Sequence, residues 1–130
     1  MYKVISITEY EMTRDVVLQN LDTGEIDVCF DDSALMSDEN NFDFMEIGGV
    51  YDCKIKLFGV VEEENGHGNV KCRTIKTLDY CKMVMVEVGQ NVYYVPMSEF
   101  QDGVVKPEFY FGYTRKDLME VDNVLHKYYC

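Results

Sequence analysis

Polar and apolar residues alternate most cleanly along Val50–Glu62, VYDCKIKLFGVVE. Tyr51, Cys53, Ile55 and Leu57 fall on one side of an extended chain, and Asp52, Lys54 and Lys56 fall on the other. Side chains of a strand switch face at every residue, so this pattern predicts a half-buried strand with a neighbour at each edge. Gly48-Gly49 in front of it punctuates the backbone. It is no phosphate cradle, because no helix start follows.

The same period recurs on both sides of this stretch. Residues 2–9, YKVISITE, predict a first strand. Val16 and Leu18 alternate before Asp22-Thr23-Gly24, and Ile26, Val28 and Phe30 alternate after it, so Asp15–Leu21 and Glu25–Phe30 predict a hairpin with a positive-φ residue in its loop. Asp31–Asn41, DDSALMSDENN, has no sheet period. It predicts a solvated acidic loop holding a short helical turn around Ser33–Met36, with Asp32 or Ser33 as cap. Phe42, Phe44 and Ile47 return the chain to the core. The run Asn65-Gly66-His67-Gly68-Asn69 has turn composition, which makes Val50–Glu64 and Val70–Leu78 a second, longer hairpin tipped by Glu62, Glu63 and Glu64. Lys82–Val88 is apolar on both faces, as a covered central strand would be. Val92–Val95 pairs back after Gly89-Gln90-Asn91, and Pro96 ends the ladder. Met97–Phe111 reads as irregular.

A helical period appears once. Leu118, Val121, Leu125 and Tyr128 share a face, Thr114 suits an N-cap, and Asp117 complements the helix dipole, so the chain predicts a C-terminal helix over about 114–128. Some seven short strands joined by hairpins, with one terminal helix, predict a single mainly β domain over residues 1–130. Closing the sheet into a small antiparallel barrel would remove its exposed edges. The order of elements over residues 2–78 resembles an OB-fold with added strands. The resemblance is one of topology, carried by no family motif, and a β-sandwich is the alternative.

Charge narrows the functional field. Twenty-four acidic residues oppose 12 basic ones, a formal net charge of −12. Such a field repels nucleic acid and anionic membranes and favours basic partners. The longest apolar run falls short of the ~18 residues of a membrane span. The N-terminal MYKVISITEYEMTRD lacks a signal-peptide core, so a cytoplasmic location is expected. Five unpaired-looking cysteines, Cys29, Cys53, Cys72, Cys81 and Cys130, form no CxxC and predict neither a disulfide framework nor a zinc site.

The chain offers little reactive chemistry. Asp31, Asp32, Asp38, Glu39 and Asp43 lack the spacing of a calcium loop. A base would have to be His67, in a glycine-rich turn, or His126, beside the apolar helix face, where packing or a cap is its expected role. Cys81 is the one cysteine expected near the surface, and nothing links it to a histidine. No catalytic residue, cofactor or metal is therefore assigned. Two binding features stand out. Lys54, Lys56, Lys71 and Arg73 can form a positive stripe, with Phe109, Tyr110 and Phe111 as an aromatic contact surface. The expected function is a small non-enzymatic module that binds a protein partner, one with a basic surface, with nucleic-acid mimicry as its sharp form. An OB-type single-strand binder using the stripe and a carboxylate-based enzyme are the rivals.

Overall fold

The computed structural model describes residues 1–63, 66 and 68–129; Glu64, Asn65, His67 and Cys130 lie outside the described residues, and with them most of the expected turn around His67. Strands dominate. They are β1 (Tyr2–Glu9), β2 (Arg14–Asn20), β3 (Ile26–Asp31), β4 (Val50–Tyr51), β5 (Cys53–Glu62), β6 (Val70–Leu78), β7 (Met83–Val88), β8 (Asn91–Pro96), β9 (Glu108–Val121) and β10 (Val124–Leu125). Among the described residues Ser33–Met36 forms the one α-helical turn, α1, and 3₁₀ turns lie at Met97–Glu99 and Gln101–Gly103. The chain divides into a terminal unit, Met1–Ile55 with Lys116–Cys130, and a central unit, Lys56–Arg115.

In the terminal unit the hairpin predicted over Asp15–Leu21 and Glu25–Phe30 forms as β2 and β3. β1 and β2 run antiparallel from Tyr2↔Asn20 to Glu9↔Arg14, with a bulge between Val4 and Ser6, and β2 pairs with β3. Gly24 adopts φ +78° in the connecting loop, the left-handed region where a Cβ is penalised. The buried row of this ladder is Tyr2 and Val4 on β1, Arg14, Val16 and Leu18 on β2, and Asp27, Cys29 and Asp31 on β3. Phe42, Leu118, Met119 and Val121 complete the core. β3 pairs in parallel with the end of β9 at Phe30↔Asp117, and β4 covers only Tyr2 and Lys3 of β1.

The central unit is a closed ring of five strands in the order β5–β9–β6–β7–β8, returning to β5. The closing step, Lys56↔Tyr94, is parallel, so the sheet is not wholly antiparallel. Leu57, Cys72, Val84, Val86, Tyr93, Val95, Phe109 and Phe111 fill the interior. At Gly59 the strands pass so closely that a Cβ would stand 2.0 Å from the Gly112 carbonyl oxygen.

Three expectations are corrected. The ring lies within Lys56–Arg115, whereas the OB-like resemblance covered residues 2–78. The predicted second hairpin is split, because β9 pairs with β6 over Val70↔Phe111 to Arg73↔Glu108 and neighbours β5, so it stands between them. Residues 114–128 form no helix. They are the end of β9, a two-residue turn, β10 and the start of a further turn after His126. Asp122 and Asn123 take φ +47° and +67°, the pair of left-handed residues that a tight hairpin turn requires and a helix excludes. Asp117–Val121 is buried at every position, so the helical spacing of Leu118 and Val121 coincides with a strand covered on both faces.

Candidate docking surface

The acidic charge is not evenly spread. The terminal unit holds sixteen acidic and five basic residues, a net of −11; the central unit holds eight and seven, a net of −1. The repulsion of polyanions read from the whole chain is thus a property of the terminal unit.

Part of that charge is neutralised inside the unit. Arg14 Nε donates to Asp31 at 2.8 Å while its Nη2 donates to the Phe42 carbonyl. The other oxygen of Asp31 accepts from Ser33 N–H at 2.9 Å and Ser33 Oγ at 2.6 Å, and Ser33 Oγ accepts the Phe42 N–H at 2.9 Å. A buried arginine at the start of β2 therefore fixes both ends of the excursion between β3 and Phe42. Asp31 and Asp32 leave the expected solvated loop: Asp31 is buried, and Asp32 receives His126 Nε2 at 2.6 Å. Lys116 caps buried Asp27, and Lys54 caps buried Glu120.

His126 has no capacity left for catalysis. It is fully buried, its Nδ1 accepts the Tyr128 N–H at 3.1 Å, and the proton on Nε2 points at Asp32. It also stacks on Tyr129 with ring centroids 4.2 Å apart. A general base needs an open nitrogen within reach of substrate, and neither nitrogen is open. The packing role expected for His126 is the one observed, although beside β10 instead of a helix.

The described cysteines offer no open thiol either. Cys81 is buried, contrary to expectation, and is disulfide-bonded, which corrects the reading of all five cysteines as unpaired. Cys29, Cys53 and Cys72 are free and buried; burial pushes the Cys53 thiol up to about 12 and that of Cys72 to about 11. Such thiols stay protonated and unreactive at neutral pH.

The proposed basic stripe is dispersed. Lys54 pairs with Glu120 in the terminal unit. In the central unit, Lys56 is buried and lies 5.0 Å from the Phe58 ring centre, Lys71 stands 3.7 Å from Glu108, and Arg73 donates to Glu87 at 3.0 Å. Each cation has an acidic or aromatic neighbour. Phe109 and Phe111 point into the core, with Phe109 edge-on to Phe100 at 4.8 Å; Tyr110 alone of the aromatic trio is partly exposed. Lys71, Tyr110, Glu62, Glu63, Lys106 and Glu108 share a shallow hollow of about 220 Å³ with mixed charge.

What sequence reasoning missed lies where β1 turns into β2. The β1–β2 turn, Tyr10–Thr13, stands beside α1 and encloses a hollow of about 240 Å³. Glu9, Glu11, Asp31 and Asp43 line it against one cation, Arg14. Arg14 lies 2.8 Å from Asp31 and 3.7 Å from Glu9, which leaves Glu11 and Asp43 unbalanced by any basic residue of the lining. Tyr10, Met12 and Leu35, each about half exposed, supply apolar walls. Glu9-Tyr10-Glu11-Met12 alternates acid with large apolar residues, and that was the available signal. Among the described residues no cluster of His, Cys, Asp and Glu has metal-holding geometry, and no helix is long and apolar enough to cross a membrane. In comparisons with protein-family models, curated proteins and solved structures, nothing matches this chain.

Proposed function

We propose that the chain is a small non-enzymatic binding module that engages a basic protein surface through its terminal unit. The observation that carries this reading is the hollow at the β1–β2 turn, where carboxylates outnumber cations and exposed Tyr10, Met12 and Leu35 offer apolar contact. Unlike charges steer encounter and apolar contacts hold the complex. Nucleic-acid mimicry is the sharp form of the proposal, since a groove built for phosphates accepts carboxylates in their place. A cytoplasmic setting belongs to the same proposal.

The test is titration of the full chain with labelled oligolysine, followed by fluorescence anisotropy at low and high salt. Binding should weaken steeply as salt rises, and the triple variant E9K/E11K/D43K should bind at least about tenfold more weakly, a loss of about 1.4 kcal/mol. Equal binding by the triple variant overturns the reading. The rival single-strand binder predicts tight binding of labelled oligothymidylate at low salt through Lys71 and Arg73; the pairing of those residues with Glu108 and Glu87 argues against it.

A further inference from the structure

Beside the acidic hollow, β1 has an open edge. β4 occupies that edge only opposite Tyr2 and Lys3. Gly48 and Gly49 then take Val4: its N–H donates to the Gly49 carbonyl at 2.9 Å, and its carbonyl accepts the Gly48 N–H at 2.8 Å. From Ile5 to Glu9 no strand among the described residues lies along this side, while β2 fills the other. The direction of the backbone groups follows from the ladder. Tyr10 N–H bonds inward to the Thr13 carbonyl at 2.8 Å. Inward and outward residues alternate in an antiparallel pair, so Thr8 faces β2, and Ile7 and Glu9 direct their N–H and C=O groups outward. An open row of such groups is a template for another strand. The free length, five residues, spans about 17 Å.

This edge ends at the hollow. Glu9 is its last residue and lines the cavity with Glu11 and Asp43. A segment laid along Ile5–Glu9 therefore runs toward a place where carboxylates exceed cations. We propose that the β1 edge receives an extended, basic segment of a partner protein as an added strand, one of whose Lys or Arg side chains enters the hollow among Glu9, Glu11 and Asp43. This inference rests on the acidic-docking reading above. It goes further in fixing the partner's conformation: extended, with cationic side chains on alternate residues.

The experiment uses the full chain, ¹⁵N-labelled, with a short peptide alternating lysine and valine as probe, and a second peptide of the same sequence N-methylated on alternate residues. Amide hydrogen exchange and anisotropy are the readouts. The expected result is at least tenfold slower exchange at Ile7 and Glu9 on saturation with the first peptide, and at least tenfold weaker binding of the N-methylated one. Binding of both peptides with equal affinity and no protection at Ile7 or Glu9 overturns strand addition while leaving acidic docking intact. Absence of salt-sensitive binding by either peptide overturns both. Protection of Ile7 and Glu9 that grows with protein concentration without peptide assigns the edge to a second copy of the chain and also overturns the proposal.

Discussion

The terminal and central units are both built mainly of antiparallel ladders but place their charges oppositely. In the terminal unit Arg14, Asp27, Asp31, Glu120 and His126 are buried and joined in pairs, and buried Asp117 accepts the Tyr129 hydroxyl at 3.2 Å. In the central unit the interior is almost wholly apolar, with Lys56 and Asn91 its buried polar residues among those described, and the Arg73–Glu87 and Lys71–Glu108 pairs sit at the surface. The contrast shows what buried charge is for. Transferring an ion pair inside gains little net stability over apolar packing, but its directional bonds fix one arrangement. Here they hold the long excursion after β3, whose Asp43 lines the hollow, whereas the ring needs no such constraint.

Arg14→Ala should break this contrast most sharply. It strands Asp31 without its cation and frees the Phe42 carbonyl, and should cost about 3–5 kcal/mol in urea unfolding. A loss under ~1 kcal/mol would show that the pair is dispensable. Phe111→Ala removes a fully buried ring from the central unit and should cost about 3–5 kcal/mol through lost apolar burial and the cavity left behind. Amide exchange should place the first loss in β2, β3 and α1 and the second in β6 and β9.

Alkaline pH separates the units less strongly. Cys53 in the terminal unit has its thiol pushed up to about 12, chiefly by burial and then by Asp122 and Asp52. A raised folded value means that the neutral thiol is favoured by folding. Its contribution is complete below the unfolded value near 9 and is lost progressively as pH rises toward 12. The thermal midpoint should therefore fall between pH 9 and 11, and Cys53→Ala should flatten that fall relative to its own neutral-pH value. An unchanged slope in the variant would assign alkaline sensitivity elsewhere.

The smallest effect is expected at Arg73→Ala. Its pair with Glu87 is more than half exposed on the arginine side, so the loss should be roughly 0.2–1 kcal/mol and vanish at high salt. A cost as large as that of Arg14→Ala would erase the distinction between the units.

Much of the ladder architecture was legible because period-two burial is local. The β2–β3 hairpin, α1 with Asp32 before it, and the inward row Cys53, Ile55 and Leu57 follow directly from alternation and turn chemistry. β9 was not legible. Phe109 and Phe111 alternate with Glu108 and Tyr110, but Gly112 interrupts the pattern, and Leu118, Val121 and Leu125 mimic a helix face. The decisive local signal was Asp122-Asn123, two residue types that tolerate positive φ, set between Val121 and Val124-Leu125. That β9 would part β5 from β6 depends on pairing across distant sequence, which no local period encodes. The acidic hollow was hidden for the same reason: Glu9 and Glu11 meet Asp43 only after the excursion folds back.

The near-touch of Gly59 and Gly112 bears on how this chain can drift over generations. A methyl group at position 59 meets main-chain oxygen, which no exchange elsewhere can remove, whereas one at position 112 meets the tips of Asn69 and Glu62, which can swing aside. In a randomised library selected for solubility, alanine should thus be purged at the first glycine and survive at the second, a one-sided tolerance between two neighbours that share a seam.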